Sequence, residues 1–191
     1  ARWAGGAVLA DDMGLGKTVQ ALAVLLTRAT DGPALVVAPT SVGWNWLAEA
    51  ERFAPSLNFE QYRGVGRDLG VPGPGDVIVT SYDLLRMDAD IVCDIEWNTV
   101  VFDESQALKN AGSQRYEAAL RLKAGVRLAL SGTPVENRTA ELWSLFNLLA
   151  PGYMGTRGSF RTRFAVPIER EDDRERRALL SRMARPFILR R

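Results

Sequence analysis

The chain has 191 residues, 47% of them hydrophobic and 25% charged, the balance of one globular domain with a true core and room for a small appendage. Its only cysteine, Cys93, excludes an internal disulfide, and the lack of histidine excludes His-based metal sites and Ser-His-Asp or Cys-His catalysis within this chain. The net charge of +1 is split, −5 over residues 1–156 and +6 over residues 157–191, where 11 Arg face 5 acids; that end suits nucleic acid as well as a solvated helical hairpin.

In chain order, "AVLA" (7–10) reads as a buried strand and 17–29 as a helix. "ALVVAP" (34–39) is a strand, "VGWNWLAEAERF" (42–53) a helix and "NFEQY" (58–62) a strand. After a Gly/Pro-rich loop (64–75) come the strand "DVIVTS" (76–81) and a short helix over 82–88. "WNTVVFDE" (97–104) is a strand ending in two acids, and "VRLALSGTP" (126–134) a strand ending in a turn. Helices follow at 139–149, 157–165 and 172–184, with "FILRR" (187–191) the one later strand candidate. Strands that alternate with helices and are apolar throughout predict an α/β fold, a parallel sheet covered by helices on both faces. Residues 1–150 form the main lobe in this reading, and 151–191 a small basic helical protrusion with the end of the lobe. No apolar run reaches membrane-spanning length and no signal-peptide pattern is present, so an intracellular location is expected.

The loop "DDMGLGKT" (11–18) leads from a strand into a helix, the setting of a phosphate-binding loop. Gly14 and Gly16 let the backbone bend and approach an anion, and the loop amides and helix dipole then favour phosphate. Lys17 would reach the β- and γ-phosphates and Thr18 would offer its hydroxyl to Mg²⁺. The common pattern has its first glycine where this chain has Asp11. The second element is "TVVFDES": Asp103 would hold Mg²⁺ and Glu104 would act as general base toward the attacking water.

With both motifs in place the chain resembles the Swi/Snf-like DNA translocases of helicase superfamily two. "LADDMGLGKT" resembles motif I, "LVVAPTSVGWNW" motif Ia, "DVIVTSYDLLR" motif Ib, "VVFDESQALKN" motif II and "LALSGTPVENR" motif III. The stretches "ELWSLFNLLAPGYMG", "FRTRFAVPIE" and "RPFILRR" resemble the path to the end of the first lobe. Asp11 is part of that family's own wording, and position 106 is Gln where DEAH-type members have His. The resemblance implies a RecA-like P-loop lobe, ATP and Mg²⁺ as cofactors, and double-stranded DNA, gripped by its phosphates, as partner. Its ATP contacts would come from Asp12, Met13, Gly14, Leu15, Gly16, Lys17, Thr18 and Gln106. Its DNA contacts would come from Thr40, Ser41, Thr80, Ser81, Lys109 and Asn110, and coupling between the sites from Ser131 and Thr133. It also implies a second RecA-like lobe that supplies arginine fingers, so this polypeptide alone is expected to turn over little ATP.

Each reading has a plainer counterpart. Ser41 and Ser81 each stand just before a helix, where serine is a common cap. Trp44, Trp46, Trp143 and Phe146 suit base stacking or ordinary core packing. A strand-separating helicase lobe and a non-catalytic nucleic-acid-binding scaffold are the alternative functions.

Overall fold

A computed structural model describes residues 5–12, 14–132 and 139–191. Among them, seven strands form one parallel sheet: β1 (Gly6–Leu9), β2 (Ala34–Ala38), β3 (Asn58–Gln61), β4 (Asp76–Ser81), β5 (Glu96–Phe102), β6 (Lys123–Leu130) and β7 (Ile188–Leu189). Their order across the sheet is β3-β4-β2-β5-β6-β1-β7. Alternate residues of each strand face opposite sides. Leu35, Val37, Ile78, Val100 and Phe102 pack into one core cluster, and Ala34, Val36, Val77, Val79 and Val101 into the other. All five residues of β2 are buried, which is why the central strands carry no polar alternation.

The helices cover these two faces. α1 (Lys17–Arg28) buries Ala21, Leu22 and Leu25, the i, i+1, i+4 stripe of an amphipathic helix. α2 (Gly43–Phe53) buries Trp46 and Ala50 beside it. α3 (Tyr82–Met87) and α4 (Ala89–Val92) lie on the opposite face, with α5 (Gln114–Arg121). Helix α5 is absent from the sequence reading: Ser113 caps it by accepting from the Tyr116 amide, and it buries Tyr116, Ala118 and Ala119. β6 likewise starts three residues before the apolar run that marks it, because its first residues pair with Glu96 and Trp97 of β5.

α6 (Thr139–Leu149) joins two layers. Leu145 and Leu149 pack on β1, while Trp143 and Phe146 join Phe160, Phe164, Ile168 and Leu180 of the helices beyond. Those helices are α7 (Arg157–Phe160), a π-helical turn over Arg161–Ala165, α8 (Val166–Arg170) and α9 (Arg174–Ala184). The expected single helix at 157–165 is therefore α7 followed by that π turn. The chain then returns to the sheet, where β7 pairs with β1 (Val8 with Ile188, Leu9 with Leu189). Arg127, on β6, donates to the Leu122 and Leu148 carbonyls at the ends of α5 and α6, and its burial lowers its pKa. No described helix is long and apolar enough to cross a membrane.

This strand order fixes the order of the loops at the carboxyl edge. From β4 inward the turns beginning at Ser81, Pro39, Asp103, Ser131 and Ala10 follow one another. The loop after β5 is thus central, flanked by β2 and β4 on one side and by β6 and β1 on the other.

Candidate nucleotide site and its flanking turns

β1 delivers the chain to a loop whose Gly14 and Gly16 have φ of 85° and 71°, the left-handed region that glycine tolerates. Gly16 is also the N-cap of α1 and makes no side-chain cap bond, so the first amides of α1 are not capped from that position. Lys17 donates to the carbonyls of Asp11 (2.8 Å) and Asp12 (3.1 Å), folding its ammonium over the loop. Thr18 is half-buried in the first turn of α1, and Leu15 is exposed at the loop tip. Asp12 is exposed, with the Arg190 guanidinium 3.9 Å away. Met13 lies outside the described residues.

Asp11 stands where the common pattern has glycine, and it is buried. Its carboxylate accepts from Gln20 Nε2 (2.9 Å) on α1 and from the Arg191 amide (2.8 Å). These bonds, the Gln20 one foremost, hold the carboxyl below its ordinary pKa. Asp11 thus joins the end of β1 to α1 and to the end of β7.

Asp103 follows the last residue of β5 and is 7% exposed. Burial pushes its carboxyl pKa up, opposed by hydrogen bonds from Trp46 Nε1 to Oδ2 (2.9 Å) and from the Glu104 amide to Oδ1 (2.9 Å). The charge of the Lys17 ammonium opposes that rise weakly, as the smallest of these influences. Tyr82 donates its hydroxyl to the Asp103 carbonyl (2.7 Å). Glu104 adopts φ 48°, ψ 53°, a left-handed conformation that costs a non-glycine residue about 1–2 kcal/mol. Its carboxylate accepts from Gln106 Nε2, and Gln106 Oε1 in turn accepts from Ser131 Oγ at 3.3 Å. Ser131, at the end of β6, is thus linked to Glu104 through Gln106. Thr133 lies outside the described residues.

On the other flank, Thr40 and Ser41 are exposed in the turn between β2 and α2. Ser41 is not a cap: the N-cap of α2 is Val42 and makes no side-chain bond. Ser81 does cap α3, accepting from the Leu84 amide. Thr80 is 5% exposed and its hydroxyl oxygen is buried without a partner. Thr40, Thr80, Ser81 and Arg63 line a cleft of about 360 Å³ between the two turns. Lys109 and Asn110 are exposed after the short turn that follows Glu104, with Asn110 Oδ1 accepting from Gly112 N.

The four aromatic candidates separate. Trp143 and Phe146 are core residues. Trp44 is 60% exposed, with the Arg63 guanidinium 5.1 Å from its ring centre. Trp46 is fully buried and spends its N–H on Asp103. The bonds made by Asp11, Gln20, Trp46 and Tyr82 were missed in the sequence. The available signal was chemical only: a buried indole or phenol needs a polar partner.

As a test of fit for a divalent cation, each Asp103 oxygen accepts one N–H and keeps lone pairs, and a buried, destabilised carboxylate is stabilised by added positive charge. The described residues hold no cluster of three or more His, Cys, Asp or Glu that would cage a metal. A lone carboxylate such as Asp103 suits Mg²⁺ carried by phosphates and water rather than a caged ion.

The sequence matches the SNF2-related domain family over residues 2–191. It is 43% identical over 195 residues to the putative ATP-dependent helicase/translocase YwqA of Bacillus subtilis (strain 168), covering 97% of this chain and 21% of that protein. It is 36% identical over 214 residues to the TATA-binding protein-associated factor mot1 of Schizosaccharomyces pombe, covering 96% of this chain and 11% of that one. Among solved structures, the Sulfolobus solfataricus SWI2/SNF2 ATPase core in complex with dsDNA superposes with a TM-score of 0.91 at 39% identity, over 98% of this chain and 40% of that one. The chain therefore spans a minor part of each of these proteins.

Proposed function

The chain belongs to the SNF2-related domain family, and from that premise we propose that it is the ATP-binding lobe of a motor that hydrolyses ATP while tracking along double-stranded DNA. The observation that carries this reading is geometric: the loop of Gly14 and Gly16 between β1 and α1, and the buried Asp103 after β5, both stand at the carboxyl edge of one parallel sheet.

In this reading the amides of residues 14–18 and the positive end of α1 receive phosphate oxygens. Lys17 exchanges the Asp11 and Asp12 carbonyls for the β- and γ-phosphates. Thr18 and Asp103 would hold Mg²⁺, which would supply positive charge to the phosphates. Glu104, braced by Gln106, orients the attacking water and accepts its proton. Asp12 and Gln106 line the same site, and Ser131 connects Gln106 to the end of β6. The arginines that meet the transferring phosphoryl group come from a second RecA-like lobe.

The DNA strand runs over the neighbouring turns. Thr40, Ser41, Thr80 and Ser81 contact phosphates, with Lys109 and Asn110 beside them. The cleft between these turns presents Arg63 and the exposed Thr40, which supports an anionic, hydrogen-bonding occupant. Such contacts carry little sequence information and weaken steeply with salt.

The test is ATP turnover by the full-length protein with and without duplex DNA. Turnover should rise with duplex, and Glu104→Gln should lower kcat by about 10²-fold or more while Mg-ATP binding persists. Turnover indifferent to duplex, or unchanged by Glu104→Gln, overturns the reading.

A further inference from the structure

Two aromatic side chains from the two proposed DNA-contacting turns converge on one residue. Trp46 lies in the first two turns of α2, just beyond Thr40 and Ser41, and its indole N–H is bonded to Asp103 Oδ2. Tyr82 is the first residue of α3, directly after Thr80 and Ser81, and its hydroxyl is bonded to the Asp103 carbonyl. Trp46 is 0% and Tyr82 3% exposed, so both bonds lie where water does not compete. One bond sets the carboxylate and the other the backbone of the same residue.

We propose that Trp46 and Tyr82 are positioning residues that orient Asp103 and couple occupancy of the two turns to the metal-holding carboxylate. The proposal rests on the motor reading above. In a close-packed interior a shift of either turn moves its aromatic ring as a rigid body. The ring's polar tip then draws the Asp103 oxygen with it or leaves it unpaired, which is costly in a buried setting. Duplex DNA that seats the turns thereby favours one setting of Asp103. By linkage, a nucleotide held with Mg²⁺ at Asp103 favours the matching setting of the turns. Neither side chain needs to touch nucleotide or DNA.

The measurement is the affinity of the full-length protein for a DNA duplex with and without a non-hydrolysable ATP analogue and Mg²⁺, whose ratio reports the coupling. Trp46→Phe keeps a ring and removes the N–H; Tyr82→Phe removes only the hydroxyl. Each should lower the ratio about 2- to 30-fold, the span seen for residues that carry coupling. Duplex affinity without nucleotide should stay as in the wild type. Tyr116→Phe is the control, since it deletes an equally buried hydroxyl bonded to the Ser144 carbonyl, away from Asp103, and it should leave the ratio unchanged. A wild-type protein that binds duplex equally with and without nucleotide overturns the coupling and the motor reading together. A coupled wild type whose Tyr82→Phe and Trp46→Phe variants keep the full ratio, or lose no more than the control, overturns this proposal alone. Should Trp46→Phe fail to fold, the near-isosteric Tyr82→Phe decides.

Discussion

The two flanks of Asp103 are built differently. Toward β2 and β4, the connections are an indole N–H at 2.9 Å and a phenol hydroxyl at 2.7 Å, both inside the core. Toward β6 and β1, they run through the exposed Gln106 to Ser131 at 3.3 Å, and through Lys17 folded onto two loop carbonyls. The first flank is fixed as part of folding, because breaking it strands a buried polar group. The second is made of bonds that water or a phosphate oxygen replaces at little cost. A site that must exchange ligands on one side while staying in register on the other has reason to be asymmetric in this way.

The contrast breaks most severely at Trp46. Trp46→Ala removes the largest fully buried side chain among the described residues and a donor to Asp103 together, and should cost about 3–5 kcal/mol. Amide exchange in the intact protein should show that loss along β2 and β5; protection unchanged there would show that the flank is not held from α2. A smaller effect is expected at Asp11, a buried anchor on the flank toward β1. Its carboxyl is held below its ordinary value, so its stabilisation is complete above the unfolded value of about 3.9 and is lost as pH falls through the lower folded value. Wild type and Asp11→Ala should therefore differ in protection of the Leu189 and Arg191 amides at neutral pH and converge in acid. A difference that persisted in acid would remove the carboxylate from the account. Gln106→Ala should be the mildest change, at most about 1 kcal/mol, because Gln106 is exposed and water can replace it at Glu104. A loss as large as that of Trp46→Ala would erase the contrast.

Much of the fold was legible in the sequence because its signals are local. The doubly buried strands announce themselves as unbroken Val, Leu and Ala, and the phosphate loop as two glycines between a strand and a helix. Helix α5 was hidden by its composition: Arg115, Glu117 and Arg121 dilute the apolar residues Tyr116, Ala118, Ala119, Leu120 and the adjacent Leu122. At the site, residue types were readable but partners were not. Trp46 and Asp103 are 57 positions apart, and Asp11 and Arg191 are 180 apart. Nothing in the neighbourhood of either member marks such a pair. Ser81 looked the same as Ser41, yet one caps a helix and the other does not, because the N-cap of α2 falls one residue later, at Val42.

The return of β7 to β1 has a mechanical consequence. Its two residues lie parallel to β1, and the Arg191 amide is tied to the Asp11 carboxylate. Tension applied to the chain at Arg191 along the strand direction is resisted by the β1–β7 bonds and the Asp11 bond together, in shear rather than one after another as in a zipper. The force enters the lobe at Asp11, six residues before Lys17. A pull at Arg191 is therefore felt first by the loop that carries Gly14 and Gly16, with α7, α8 and α9 largely bypassed.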